Sequence, residues 1–204
     1  MLKLDLQFFG GRGASSASSG GSGKTQKEHM DKWHEPPSKA VQLMNYLGIT
    51  PEEAIAEANA VDAWSGIEYG DIRKAQYTGE TGTWAAKQAE AIEKFIQQSP
   101  KWAGGELYRG INLWQKDALA QLKPGAVIDM RGMSSWSTSE TVAKNFAGNV
   151  IFKTSGTKKG TSITHLSKFG LSEKEVLISG KATWKIQKVE QSGNYTVVTV
   201  KERR

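Results

Sequence analysis

The chain has 204 residues, 38% of them hydrophobic and 24% charged, which is enough for one soluble globular domain with a substantial core. It contains no cysteine, so disulfides, thiolate nucleophiles and cysteine-ligated metals are excluded. There is no run of about 18 apolar residues and no signal-peptide-like start, so we expect neither a membrane span nor a cleaved leader.

The net charge of +6 is spread unevenly. Residues 151–204 carry eleven basic and four acidic side chains, whereas residues 39–150 are slightly acidic. A basic region suits an anionic partner such as nucleic acid. Lysines that alternate along strands are also typical of a solvent-exposed sheet face, and no stacking aromatics or recognition helix accompany them. Nucleic acid is therefore the weaker interpretation.

The chain is predicted to have two parts. Residues 1–37 contain a long Gly- and Ser-rich stretch with little to bury, which indicates a disordered N-terminal segment. Residues 38–204 are predicted to form the folded domain. Its first half reads as helices, from Ser38 to Gly48, from Thr50-Pro51 to about Ala63, after Ser65-Gly66, and over Trp84–Gln98.

After Gly105 the pattern changes to short apolar, β-favouring runs. Two helices are predicted among them, over Gln115–Leu122 and Ser139–Ala147. The strands are predicted at Leu107-Tyr108, Ala126–Ile128, Val150–Phe152, Ser162-Ile163, Glu175–Ile178, Ala182–Val189 and Tyr195–Val200. Helices first and mainly strands afterwards indicate the α+β class rather than a doubly wound parallel sheet.

Two carboxylates, Glu173 and Glu175, are the most informative pair in the chain. The apolar run that follows predicts that Glu175 enters a strand, and side chains two apart in a strand project from one face. Adjacent carboxylates repel each other, so this pairing does not stabilise the fold by itself. It suits a site that binds a positively charged reaction centre. The alternative is a pair of ordinary loop and edge-strand charges.

Two further motifs have both a functional and a structural interpretation. Arg109 ends an apolar strand and precedes Gly110, so its planar fork suits phosphate oxygens, although for this motif taken alone an ion-paired structural arginine is the stronger interpretation. Ser137-Thr138-Ser139 precedes a helix, and Ser137 has capping-box spacing to Glu140.

Taken in chain order, Arg109-Gly110, Ser137-Thr138-Ser139 and Glu173-Lys174-Glu175 resemble the Arg–Ser–Glu class of mono-ADP-ribosyltransferases, which includes cholera-like toxins and clostridial binary toxins. The segment Ala63-Trp64-Ser65-Gly66-Ile67-Glu68-Tyr69 is similar to an early helical segment of that class. The resemblance covers roughly residues 40–190. It implies N-terminal helices packed on a two-sheet β-sandwich.

The resemblance also implies a reaction and a division of roles. NAD would be the co-substrate, with no metal, and ADP-ribose would pass to an arginine of a target protein. Glu175 would be the catalytic glutamate, oriented by Ser137, and Glu173 would receive the acceptor. Arg109 would anchor the pyrophosphate and Gly110 the nicotinamide, with Ser137, Thr138 and Ser139 completing the NAD site. Phe169 would be the aromatic that recognises the acceptor.

Two other functions stay open at this point. One is a NAD glycohydrolase, in which water is the acceptor. The other is a virion protein, since Met1 to Phe9 resembles the openings of head-associated proteins from phages of Gram-positive bacteria. A transferase carried by a phage or mobile element, acting in a bacterial host, would combine the two.

Overall fold

A computed structural model describes residues 1–3, 38–113 and 116–203. Within these ranges six helices are formed, and their bounds match the predicted ones closely. They are α1 (Ser38–Leu47), α2 (Pro51–Trp64), α3 (Tyr69–Thr78), α4 (Trp84–Gln98), α5 (Lys116–Ala120) and α6 (Glu140–Phe146). The predicted disordered segment lies outside the described residues, except for its first three.

Local signals explain where the helices begin and end. Thr50 caps α2: its hydroxyl accepts the N–H of Glu53, and the Glu53 carboxylate accepts the N–H of Thr50. Thr83 caps α4 by accepting the N–H of Ala86. Gly48 follows α1 with φ of +66°, a left-handed conformation that glycine adopts without strain. No helix in the described ranges combines the length and apolar character of a membrane span.

Nine strands form one continuous hydrogen-bonded sheet in the order β1-β3-β8-β9-β5-β2-β4-β7-β6. The pairing includes parallel neighbours, β1 with β3 and β5 with β9, among otherwise antiparallel ones. The bounds are β1 (Leu2–Lys3), β2 (Leu107–Ile111), β3 (Val127–Asp129), β4 (Ser134–Ser137), β5 (Val150–Thr154), β6 (Gly160–Ser162), β7 (Glu175–Ile178), β8 (Thr183–Ser192) and β9 (Tyr195–Glu202).

The α+β class is confirmed, but the predicted division into two sheets is not, because the strand pairing is continuous. The sheet nevertheless folds back on itself. Trp136 of β4 and Trp184 of β8 lie four strands apart in the pairing order, yet their ring centroids are 5.1 Å apart. Neighbouring strands are spaced about 4.8 Å apart, so only a strong bend brings these rings into contact.

The bend lies where β2 meets β4. These strands pair through Tyr108 and Ser137, whereas β2 pairs with β5 along its full length. Between the two halves lies an apolar core that includes Phe152 and Trp184 from one side and Trp136 from the other. The helices cover the opposite face of β4 and β7, and they form a second core there.

Candidate active site

A cleft opens at the bend, between β2, β4, β7 and the start of α3. Its empty space, counted together with the solvent at its open mouth, is about 680 Å³. The cleft is lined by Trp64, Ser65, Tyr69, Tyr108, Arg109, Gly110, Ile111, Ser135, Trp136, Ser137, Val142, Ala143, Phe146, Phe169, Glu173 and Glu175. Six of the eight residues proposed from the sequence are therefore in one place, and Thr138 and Ser139 follow directly on the chain.

Arg109 reaches from β2 across to β4. One of its terminal nitrogens, Nη1, donates to the backbone carbonyl of Ser135 at 2.6 Å. The guanidinium also hydrogen-bonds the phenol of Tyr69. Its Nε–H is buried and has no acceptor among the described residues. The guanidinium is thus held in place by the protein, and one of its donors is left without a protein acceptor.

Gly110 is required for packing as well as for the cleft. A Cβ at this position would lie 1.9 Å from the carbonyl oxygen of Ala143 and 2.7 Å from the backbone nitrogen of Ala147. The missing side chain therefore lets the end of α6 pack against β2. Helix α6 thus fills the space on the side of Gly110 where a side chain would stand. The Gly110 backbone still lines the cleft.

Glu175 is the first residue of β7 and is only 5% exposed. Burial is the main reason that its pKa is raised to about 7, and the neighbouring charge of Glu173 acts in the same direction. Hydrogen bonds from Ser135 and Trp64, together with the charge of Arg109, act the other way. The carboxyl group therefore titrates near neutrality inside the cleft.

Glu173 shares the cleft with Glu175, but not for the predicted reason. A one-turn 3₁₀ helix, Gly170–Ser172, ends at Glu173, and Lys174 then has φ of +47°. This left-handed residue turns the chain sharply, so Glu173 lies before the strand and not on it. The prediction that both carboxylates project from one strand is wrong. Their proximity comes from the turn at Lys174.

Ser137 also differs from its predicted contact. Its hydroxyl donates to the backbone carbonyl of Glu173 at 2.7 Å and accepts the N–H of Ser139 at 3.1 Å. The side chains that hydrogen-bond the Glu175 carboxylate are instead Ser135 and Trp64. The predicted capping box from Ser137 to Glu140 is not formed, because Ser139 is the N-cap of α6 and accepts the N–H of Val142.

Thr138 and Ser139 serve the backbone around the cleft. The N–H of Thr138 donates to the carbonyl of Lys174 at 3.3 Å, which ties the end of β4 to the turn between the two carboxylates. Ser139 is committed to capping α6. Their predicted contacts with NAD remain predictions.

Phe169 is half-buried at the cleft, in the loop between β6 and β7. Two lysines anchor this loop to the helices. Lys39 donates to the carbonyl of Leu166 at 2.6 Å, and Lys168 lies 3.2 Å from the carboxylate of Asp62. The loop that presents Phe169 and Glu173 is therefore held against α1 and α2.

The sequence analysis assigned no role to Trp64, Tyr69 or Ser135, which also line the cleft. Trp64 is buried and donates from Nε1 to the hydroxyl of Ser135 at 2.9 Å. Tyr69 packs edge-on against Trp64 with centroids 4.5 Å apart. Burial raises the pKa of the Tyr69 phenol, but the guanidinium groups of Arg73 and Arg109 outweigh that effect and lower it. Reading Ser134–Ser137 as a strand would have identified Ser135, because it shares a face with Ser137.

These groups fit a dinucleotide with a cationic ring. The buried Nε–H of Arg109 lacks a protein acceptor and suits a phosphate oxygen. Two carboxylates face the same space, and three aromatic rings, those of Trp64, Tyr69 and Phe169, provide planar surfaces. Within the described residues, no group of three or more His, Asp or Glu side chains is arranged to hold a metal ion.

A sequence profile described as NAD:arginine ADP-ribosyltransferase matches residues 88–204, which is more than half of the chain. The chain belongs to this family. The family that the sequence motifs suggested is thereby confirmed.

Two relatives carry the same activity in their names. The chain is 28% identical over 180 residues to the NAD(+)–arginine ADP-ribosyltransferase Vis of Vibrio splendidus, covering 80% of this chain and 69% of Vis. It is 30% identical over 148 residues to the NAD(+)–arginine ADP-ribosyltransferase Mav of Mycobacterium avium, covering 71% of this chain but only 18% of Mav. The chain thus corresponds to a small part of Mav and to about two thirds of Vis.

Solved structures show the same fold. Vis in complex with agmatine superposes with a TM-score of 0.63 at 22% identity, over 90% of this chain and 88% of that one. Exoenzyme S of Pseudomonas aeruginosa, bound to carba-NAD, gives 0.62 at 21% identity, over 79% and 82%. At these identities the likeness establishes the fold alone.

Proposed function

We propose that this chain cleaves the nicotinamide–ribose bond of NAD and transfers ADP-ribose to an arginine side chain of an acceptor protein. One observation carries this proposal above the others. Arg109 on β2 and the two carboxylates of Glu173 and Glu175 come from distant parts of the chain and meet in a single cleft. Family membership supports the same reaction.

On this proposal, Arg109 binds the pyrophosphate. Its guanidinium is oriented by Ser135 and Tyr69, so little conformational entropy is lost when a phosphate binds. The Gly110 backbone and the aromatic rings of Trp64 and Tyr69 form the adjoining surface for the nicotinamide and its ribose. Exoenzyme S, which shares the fold, has been solved with carba-NAD, an analogue of the co-substrate.

Glu175 supplies the negative charge at the reacting carbon. When the bond between the ribose carbon and the nicotinamide nitrogen breaks, both electrons leave with the nicotinamide, and positive charge develops on the ribose. An ionised carboxylate fixed in a poorly solvated cleft stabilises that charge more strongly than it would in water. Because the pKa of Glu175 is about 7 in the free protein, the active ionised form increases as pH rises through neutrality.

Glu173 receives the acceptor. A carboxylate binds a guanidinium through two parallel hydrogen bonds, which aligns one guanidine nitrogen with the ribose carbon. That nitrogen forms the new bond to the ribose carbon and gives its proton to the Glu173 carboxylate. The relative Vis has been solved with agmatine, a small guanidinium compound. Phe169, on the same anchored loop, provides an apolar contact for the acceptor protein.

The test is incubation of the protein with labelled NAD and either agmatine or candidate proteins, followed by mass spectrometry. The wild type should add one ADP-ribose per acceptor, and Glu175→Gln should neither transfer nor release nicotinamide. Release of nicotinamide without any labelled acceptor would favour the NAD glycohydrolase instead. Activity retained in Glu175→Gln would refute the role of that carboxylate.

A further inference from the structure

Three contacts meet at Ser135. The indole Nε1–H of Trp64 donates to its hydroxyl at 2.9 Å, and its backbone carbonyl accepts from Arg109 at 2.6 Å. The hydroxyl also hydrogen-bonds the carboxylate of Glu175. One residue of β4 therefore connects α2, β2 and the first residue of β7.

The strand register explains how this residue reaches the carboxylate. Ser137 lies directly opposite Glu175 in the β4–β7 pair, and Ser135 lies opposite Leu177. Ser135, Ser137 and Glu175 therefore share the face that points toward the helices, with Ser135 on the diagonal from Glu175. Trp136 points to the opposite face, into the apolar core.

The hydroxyl protons of Ser135 and Ser137 go to different acceptors. A hydroxyl has one proton to donate and two lone pairs to accept with, whereas an indole nitrogen only donates. The Ser135 hydroxyl accepts from Trp64, whose indole also hydrogen-bonds the Glu175 carboxylate, and the hydroxyl proton is left for that same carboxylate. The Ser137 proton is directed to the backbone carbonyl of Glu173 at 2.7 Å. Each serine is thus committed to a different carboxylate-bearing segment.

We propose that Ser135, oriented by Trp64, is the positioning residue for the Glu175 carboxylate, while Ser137 holds the turn that presents Glu173. This inference rests on the proposed function and goes beyond the site residues suggested by the family motifs. On this inference, Ser135 acts in NAD cleavage through Glu175, and Ser137 acts in acceptor binding through Glu173.

The chain offers a matched control. Ser134 is the neighbouring serine on the same strand, and it also accepts an indole N–H, from Trp136 at 3.0 Å. It is buried on the core side and does not line the cleft. Ser134→Ala therefore removes the same kind of bond without touching Glu175.

The experiment measures nicotinamide release from NAD between pH 5 and 9 for the wild type, Ser135→Ala, Ser135→Thr and Ser134→Ala. Losing the donor to the carboxylate should move the acidic limb of the kcat profile of Ser135→Ala upward by about one pH unit and lower kcat about fivefold at pH 7. KM for NAD should change little. Ser135→Thr keeps the hydroxyl, so its acidic limb should lie at the same pH as that of the wild type. Ser134→Ala should leave the position of the acidic limb unchanged as well.

Two companion variants test the assignment by another route. Trp64→Phe removes the indole N–H and should shift the limb in the same direction as Ser135→Ala by a smaller amount. Ser137→Ala should leave the limb in place and lower the ratio of arginine modification to nicotinamide release. If Ser135→Ala does not fold, Ser135→Cys, which keeps the size of the side chain and replaces the hydroxyl by a much weaker donor, carries the test.

The outcomes distinguish this inference from the function on which it rests. A wild type that releases no nicotinamide would refute the proposed function. An active wild type, with Ser135→Ala and Ser134→Ala sharing one acidic limb, would refute only the role of Ser135. A shifted limb in Ser137→Ala would return the positioning role to that residue.

Discussion

Glu175 should make the fold less stable as pH rises through neutrality. Its pKa is raised from the ordinary value of 4.5 to about 7, mainly by burial. Between these two values the folded state holds a proton that the unfolded state has lost, so stability falls as pH rises through this window and stays reduced above it. One pKa unit corresponds to about 1.4 kcal/mol, so the ionised carboxylate costs about 3 kcal/mol above pH 8.

Glu175→Gln tests this directly, because glutamine does not ionise. The difference in unfolding free energy between variant and wild type should grow in favour of the variant by about 3 kcal/mol from pH 4 to pH 9. Urea unfolding, followed by the fluorescence of the seven tryptophans, measures it. The same variant should be inactive, so activity and stability should change in opposite directions.

Glu53→Gln is a control of opposite sign. A hydrogen bond from Lys94 and one from the backbone of Thr50 lower the pKa of Glu53, so this residue stabilises the fold near neutral pH and ceases to do so in acid. Its glutamine variant should be less stable than the wild type at pH 7, with the difference vanishing at low pH. If Glu175→Gln instead differs from the wild type by a constant amount across the pH range, the burial argument for Glu175 is wrong.

Three further predictions concern the other site residues. Arg109→Lys should raise the dissociation constant for NAD about tenfold or more, because a point charge replaces an oriented fork; calorimetry that finds an unchanged constant would reject the pyrophosphate role. Glu173→Gln should suppress labelling of arginine while sparing most nicotinamide release, and an equal fall in both would remove the distinction between the carboxylates. Gly110→Ala should destabilise the fold by about 1–3 kcal/mol, because its Cβ would lie 1.9 Å from the carbonyl of Ala143; an unchanged thermal midpoint would contradict that packing.

The helices could be predicted because their signals are local. Helix α2 begins at Pro51, directly after the predicted start signal Thr50-Pro51, and α4 spans Trp84–Gln98 as predicted. These signals lie within a few residues of the structure they specify. The bounds of the helices could therefore be predicted without knowing which elements they pack against.

Strand β4 was missed because its sequence lacks the usual apolar alternation. Ser134 and Trp136 face the core, and Ser135 and Ser137 face the cleft, so a central strand reads as a polar loop before a helix. The serines that face the cleft stand where a strand usually shows an alternation of apolar and exposed residues. The pattern by which a strand is recognised is therefore absent. The same omission hid Ser135, since only a strand places it beside Ser137.

The convergence of Glu173 and Glu175 was predicted correctly from a wrong local structure. A strand would have fixed both carboxylates on one rigid face. The left-handed turn at Lys174 instead places Glu175 in the sheet and Glu173 on the anchored loop that also carries Phe169. One carboxylate is thus held by the core and the other by the loop.

The bend of the sheet accounts for the position of the cleft. Where β2 and β4 pair through Tyr108 and Ser137, the two halves diverge, and the side chains beyond that pair are left facing an open space. Arg109 spans the gap by donating to the carbonyl of Ser135, so the residue proposed to bind the pyrophosphate also ties the two halves of the sheet together. No short sequence pattern encodes this bend, because it depends on the contact of Trp136 with Trp184 across the whole core. The motifs could identify the reacting groups, but only the folded sheet determines that they surround a single cleft.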